Sequence, residues 1–170
     1  MKNLLKRILF LSFFLCITAL FAAEANHFEL YSLSGKLLST EEIMKKSDAK
    51  YLIVDFFSLI CEPCKRSLPK WDKFYKENKP KGFEFILVSL PAQDDIKKVK
   101  KDLKNYFKEN KFSFDVVFDQ YSKVGKQFGA VDEKTGDVTL PMIFVLDKSG
   151  KILFKASSYD EAVSKIKNLK

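Results

Sequence analysis

The apolar positions of this chain change their period several times, and each change marks a new element. Tyr51 to Phe57 is a nearly continuous run of β-branched and aromatic residues, the pattern of a buried strand. After a short link, Cys61-Glu62-Pro63-Cys64 opens a helix, because Leu68, Trp71 and Tyr75 then fall at helical spacing. Pro69 lies inside that helix and is expected to kink it. Lys79-Pro80-Lys81-Gly82 ends the segment. Phe83 to Leu90 is a second buried strand, and Asp94 and Asp95 lead into a helix with Ile96, Val99, Leu103, Tyr106 and Phe107 on one face.

Phe114 to Phe118 is a short third strand, and Tyr121 to Phe128 a helix closed by Gly129. A polar loop follows, then a strand from Pro141 to Leu146. Asp147-Lys-Ser-Gly150 turns that strand into Lys151 to Lys155 as an antiparallel hairpin. Ser158-x-x-Glu161 is a capping box for a last helix that buries Ala162, Ile166 and Leu169. Ahead of all this, Phe28, Leu30, Leu33 and Leu37 alternate weakly around Ser34-Gly35-Lys36, a small hairpin. A short helix then starts at Thr40-Glu41-Glu42, with Thr40 as its cap. Strands alternating with helices before a closing hairpin give an α/β fold with a mixed central sheet covered on both faces.

The first 25 residues stand apart. Lys2, Lys6 and Arg7 precede an apolar run from Ile8 to Phe21, which ends in Ala23-Glu-Ala25. That is the pattern of a secretory signal peptide over residues 1–25, cleaved after Ala25, with one domain over 26–170. An uncleaved N-terminal membrane anchor is the alternative, although the run is short of the ~20 residues that span a bilayer. Leu15, not a small residue, precedes Cys16, which argues against lipidation.

Cleavage removes Lys2, Lys6, Arg7 and Glu24 and takes the formal charge from +8 to +6. The lysines of the 97–104 segment read as the solvated side of an amphipathic helix, and no nucleic-acid-binding module accompanies them. Of 170 residues, 46% are hydrophobic, enough for one domain with a sizeable core.

Cleavage also removes Cys16, so the exported chain holds only Cys61 and Cys64. A disulfide between them is permitted in an oxidising compartment. It closes almost no loop, however, and the entropic gain of a bridge grows with loop length. The pair is therefore explained by reactivity, not by stapling. A helix start presents unpaired backbone N–H groups and the positive end of its dipole to the first thiol, and both favour the thiolate. Metal binding would want four soft or imidazole ligands, and the only histidine is His27. Copper(I) held by the dithiol alone stays open as a carrier function.

Together the order of elements, Cys61-Glu62-Pro63-Cys64, Pro69, and Leu140-Pro141 ahead of Met-Ile-Phe-Val resemble the thioredoxin superfamily. Within it they are similar to the exported TlpA/ResA-like thiol–disulfide oxidoreductases. The resemblance runs from about Phe28 to the C-terminus. It implies a thioredoxin fold with an N-terminal hairpin extension and a helix–strand insertion between Asp94 and Phe118. It also implies Cys61 as the attacking thiolate, Cys64 as the buried resolving thiol, and a Cys61–Cys64 disulfide in the oxidised form.

Asp55, six residues before Cys61, matches the superfamily's buried acid, which assists Cys64 in giving up its proton. Leu140-Pro141 matches the cis-proline loop, where an extended substrate segment could pair. Glu62 and Pro63 shape the site: Pro63 fixes the turn, and the charge of Glu62 opposes the dipole while Lys65 and Arg66 push the other way. Ile60 stands where the family usually has tryptophan. Trp71 reads as core.

The implied activity is reduction of protein disulfides, apocytochrome c haem-site cysteines being one substrate class. Electrons would arrive through a membrane thiol-reductant transporter of the CcdA/DsbD type, and no further cofactor is needed. The rival readings are a disulfide-introducing oxidase, a copper carrier, and a peroxiredoxin-like peroxidase suggested by Ser58-Leu-Ile-Cys61.

Overall fold

The computed structural model describes residues 26–91 and 95–169, so the signal segment, Asp94 and the terminal Lys170 lie outside the described residues. A five-stranded mixed sheet forms the centre, in the order β5-β4-β3-β6-β7. Its strands are β3 (Tyr51–Phe57), β4 (Phe83–Ser89), β5 (Asp115–Phe118), β6 (Met142–Asp147) and β7 (Ile152–Ala156). β3 pairs parallel with β4 and antiparallel with β6, so it is flanked on both edges and carries no solvent-facing ladder. β5 pairs parallel with β4 on one edge, and β7 closes the other as a hairpin with β6.

The β3 run is apolar throughout because alternate residues serve two cores. Ile53 and Phe57 face a cluster containing Leu68, Trp71, Leu103, Ala162 and Ile166. Those residues belong to α2 (Glu62–Asn78), α3 (Ile96–Asn110) and α5 (Tyr159–Ile166). Leu52, Val54 and Phe56 face the opposite cluster with Met44 of α1 (Thr40–Ser47) and Val124 of α4 (Lys123–Gln127). The fold is therefore the three-layer α/β sandwich expected from the sequence, and α3 with β5 forms the helix–strand insertion. β1 (Glu29–Tyr31) and β2 (Leu37–Ser39) make the separate N-terminal hairpin. It is fastened to the sheet by a bridge between Ser32 and Val117 and by Leu33 N–H donating to the Val116 carbonyl (3.2 Å).

Three local readings need correction. α1 is capped by Ser39, whose hydroxyl accepts from Glu42 N–H, and not by Thr40. Thr40 is buried, and its hydroxyl bonds to both the N–H and the carbonyl of Phe28. It ties the hairpin to the helix instead of starting the helix.

α4 is shorter than Tyr121 to Phe128. Ser122 adopts a left-handed conformation just before it, and the helix begins at Lys123 because the Asp119 carboxylate accepts from the N–H groups of Lys123 and Gly125 (2.9 and 2.8 Å). In the last capping box Ser158 accepts from Glu161 N–H as expected. The Glu161 carboxylate, however, reaches back to Ser157 N–H (2.8 Å), and Leu169 packs from beyond the end of α5.

Candidate active site

β3 ends by releasing the chain into a tight turn. Cys61 N–H donates to the Ser58 carbonyl (3.0 Å), and Ile60 N–H reaches the Ser58 hydroxyl (3.4 Å). That turn sets Cys61 as the extended N-cap of α2, with Glu62 and Pro63 as the first helical residues. Pro63 suits this place because its missing N–H is one the first turn would not use. Cys61 Sγ takes the role of a capping side chain and accepts from Cys64 N–H (3.3 Å). Cys64 lies one helical turn later, and the two sulfurs are bonded at 2.01 Å with Cα atoms 5.3 Å apart.

Cys61 is half-buried, and Cys64 is fully buried against Ile53, Phe57 and Leu68. Only the first sulfur can therefore meet a macromolecular partner. The helix N-terminus stabilises negative charge on that sulfur through the same N–H that now caps it.

Asp55 occupies the β3 position between Ile53 and Phe57 and so points to the Cys64 face of the sheet. It is fully buried, and burial pushes its carboxyl well above the ordinary range; the nearby Trp71 indole N–H tempers that rise without reaching hydrogen-bond geometry. Neither Asp55 oxygen closes a hydrogen bond, and the same is true of Trp71 Nε1 and of the Ser89 hydroxyl on the neighbouring strand. Three unsatisfied polar groups thus share one sheet face, since Ser89 is two residues along β4 from Leu87, the partner of Asp55. Buried polar groups of this kind are costly unless chemistry uses them. Trp71 is the residue the sequence reading missed. A tryptophan at helical spacing looks like core, and only the packing of α2 on the sheet shows that its N–H lies near Asp55.

Glu62 is exposed and ion-paired to Lys65, so much of its charge is offset locally. The Leu140–Pro141 peptide is cis, as the resemblance implied. Leu140 shares a cavity of about 540 Å³ with Cys61, Glu62, Pro63 and Ser58, and the rest of its wall is apolar: Ile60, Leu90, Pro91 and Val138. Ile60 and Val138 are 65% and 45% exposed, so the rim beside the reactive sulfur is a hydrophobic surface open to solvent. Of the sequence-assigned residues, Cys61, Glu62, Pro63 and Leu140 line this cavity, whereas Pro141 lines the next one, toward Met142 and Ala156. Among the described residues no group of three or more His, Cys, Asp or Glu side chains is placed to hold a metal ion.

The AhpC/TSA family profile matches residues 22–155. The chain belongs to the AhpC/TSA family. Curated proteins similar to the chain include the thiol-disulfide oxidoreductase ResA of Bacillus thuringiensis, 27% identical over 130 residues that cover 76% of this chain and 65% of that protein. Another is the sporulation thiol-disulfide oxidoreductase A of Bacillus subtilis, 26% identical over 117 residues, covering 69% and 65%. The match thus spans 65% of the length of each of these relatives.

Solved structures show the same fold. StoA from Bacillus subtilis superposes with a TM-score of 0.62 at 22% identity, covering 84% of this chain and 96% of that one. The exposed lipoprotein thioredoxin Etrx1 of Streptococcus pneumoniae reaches 0.65 at 22% identity, covering 84% and 99%.

Proposed function

We propose that the chain is an exported thiol–disulfide oxidoreductase that reduces disulfides in protein substrates. The observation that carries the proposal is the Cys61–Cys64 pair at disulfide distance, one sulfur accessible at a helix N-terminus and the other buried above an unsatisfied acid. The names of the curated relatives support the same reaction class.

In the reduced protein the Cys61 thiolate attacks one sulfur of a substrate disulfide. The substrate S–S bond breaks, and its second sulfur leaves as a thiolate that takes a proton from solvent. The chain is now joined to substrate through Cys61. Asp55, in its carboxylate form, accepts the Cys64 proton, because burial raises its carboxyl toward the range of a base matched to a thiol. The Cys64 thiolate attacks Cys61 Sγ, the mixed disulfide breaks, and the second substrate thiol departs. Two electrons have passed to the substrate, and the protein is left in the bridged form.

The apolar rim of Ile60, Val138, Pro91 and Leu140 favours substrates with hydrophobic residues beside the disulfide. The signal-like 1–25 segment supports export to a periplasm-type compartment. There a membrane thiol-reductant transporter of the CcdA/DsbD type would restore the dithiol, and haem-site cysteines of apocytochrome c form one candidate substrate class.

A Cys64→Ala variant tests the mechanism. It should accumulate its cellular substrates as mixed disulfides on Cys61, to be identified by mass spectrometry, and an empty trap alongside a functional wild type overturns the reading. A reduction potential above about −150 mV would instead assign the chain to disulfide introduction.

A further inference from the structure

The end of the sheet opposite the dithiol carries a second cavity, of about 570 Å³, where β3 and β4 begin. Its floor is apolar, with Phe74, Phe83, Val163 and Leu169. Its rim holds Lys50, Lys73, Lys81 and Lys167, with Glu77 as the one acid among the lining residues. All four lysines are exposed, and none belongs to an ion pair among the described residues.

They come from four places: the turn before β3, the body of α2, the turn after it, and the end of α5. The topology explains why they meet. α2 and α5 both run back from the dithiol end, so the last residues of each helix arrive where β3 starts. The β6–β7 turn lies at the same end, since Asp147 pairs with Tyr51, and it adds Lys148 and Lys151.

A second observation fixes what lies nearby. Asn26 donates to the Gly150 carbonyl through both its backbone N–H (2.9 Å) and its side-chain amide (3.2 Å). Gly150 belongs to that β6–β7 turn. The described chain therefore begins at the lysine-rich end, and the apolar Ile8–Phe21 run with its basic start precedes that point in sequence. The dithiol sits at the other end of β3, about 20 Å away for seven residues in extended conformation.

We propose that this lysine-rimmed groove docks on the surface of an anionic phospholipid bilayer. The lysines would meet headgroup phosphates, the apolar floor would face the interface, and the dithiol would be held outward toward soluble substrates. Basic clusters beside a membrane-associated apolar segment bind anionic lipid in just this electrostatic way, and the attraction falls off within a Debye length. The proposal is independent of the redox reading. It places the domain the same way whether the N-terminal segment stays in the bilayer or has been removed.

The test is hydrogen–deuterium exchange on the full chain reconstituted in vesicles of mixed phosphatidylglycerol and phosphatidylcholine, against phosphatidylcholine alone. With the anionic lipid, amides of the 73–83 and 163–169 segments should exchange more slowly, those of the Cys61–Lys65 turn should not change, and added salt should abolish the difference. Neutralising two rim lysines, Lys73→Gln with Lys81→Gln, should lower the docked-to-free ratio by about 25-fold, at roughly fivefold per lysine. Thiol exchange in solution should be untouched in that variant. Equal exchange on the two vesicle types overturns the proposal, as does protection at the dithiol end. Protection of the same segments by soluble polyglutamate but not by anionic vesicles also overturns it and would assign the groove to an acidic protein.

Discussion

Asp55 and Asp119 are both buried acids, 0% and 1% exposed, and burial raises both carboxyls above the ordinary range. Their surroundings differ in one respect. Asp119 follows β5 and spends its oxygens on the N–H groups that open α4, which pull its carboxyl back down. Asp55 lies mid-strand between two hydrogen-bonded neighbours, where every backbone N–H is already committed to the sheet, and its oxygens close no hydrogen bond. One acid is consumed by architecture, and the other is left available below the dithiol. Burial alone therefore does not mark a functional carboxylate, and the role proposed for Asp55 rests on burial without hydrogen-bond partners on the Cys64 face of the sheet.

The comparison breaks most visibly in rates. Asp55→Asn removes the proposed proton acceptor for Cys64 and should slow release of the mixed disulfide by about 100-fold at neutral pH, the usual scale of a lost general base. Formation of the mixed disulfide on Cys61 should be unchanged, and stopped-flow reduction of a fluorescent disulfide separates the two steps. Equal loss in both steps would remove Asp55 from its assigned role. Asp119→Ala is the converse. It leaves two N–H groups without an acceptor and should lower stability by about 2 kcal/mol in urea denaturation, with the exchange rate per folded molecule intact.

Why one acid could be read from the sequence and the other could not is a matter of local against tertiary contrast. Asp55 interrupts an apolar run, so its anomaly is visible in seven consecutive letters. Asp119 looks like an ordinary strand-end turn residue, and its capping of α4 depends on the left-handed bend at Ser122, which no spacing announces. Likewise Thr40 and Ser39 are both acceptable caps, and only the contact with Phe28 removes Thr40 from that role. The strands, the dithiol and the cis-proline loop were legible because each is carried by neighbours in sequence. The closeness of Trp71 to Asp55 and the four-lysine groove were not, because their members come from separate elements that only the packing of the helices on the sheet brings together.

The raised and the lowered carboxyls also separate by pH. Asp55 has a folded carboxyl raised above its unfolded value, so the folded state holds the extra proton between those two values. Its stabilising contribution is complete below the unfolded value, near pH 4, and is lost as pH rises toward the folded one. The groups with lowered carboxyls act oppositely: Glu161, held at about 2 by Lys165 and Ser157, and Asp72, Asp132 and Asp147 contribute above their unfolded values and lose that contribution as pH falls. They are fully ionised above about pH 5, whereas burial makes Asp55 and Asp119 give up their protons at higher pH than free carboxylic acids do. Measured on the bridged protein, where the cysteines do not titrate, Asp55→Asn should flatten the decline that sets in above the unfolded value and be the more stable chain at the upper end. Parallel curves for variant and wild type would show that Asp55 is not the group responsible.

The smallest effect concerns the charge at the mouth of the site. Glu62 stands one residue from Cys61, but it is exposed and tied to Lys65, so its field at the sulfur is weak. Glu62→Ala frees Lys65 and removes a negative neighbour, and both changes favour the thiolate and hence the reduced form. The reduction potential should rise, though only by about 5–20 mV, the equivalent of an exposed ion pair for a two-electron couple. Equilibration with glutathione resolves a change of that size. A fall in potential, or a rise several times larger, would mean that Glu62 acts on the sulfur directly. The exposed mouth would then rival the buried Asp55 side in setting the chemistry.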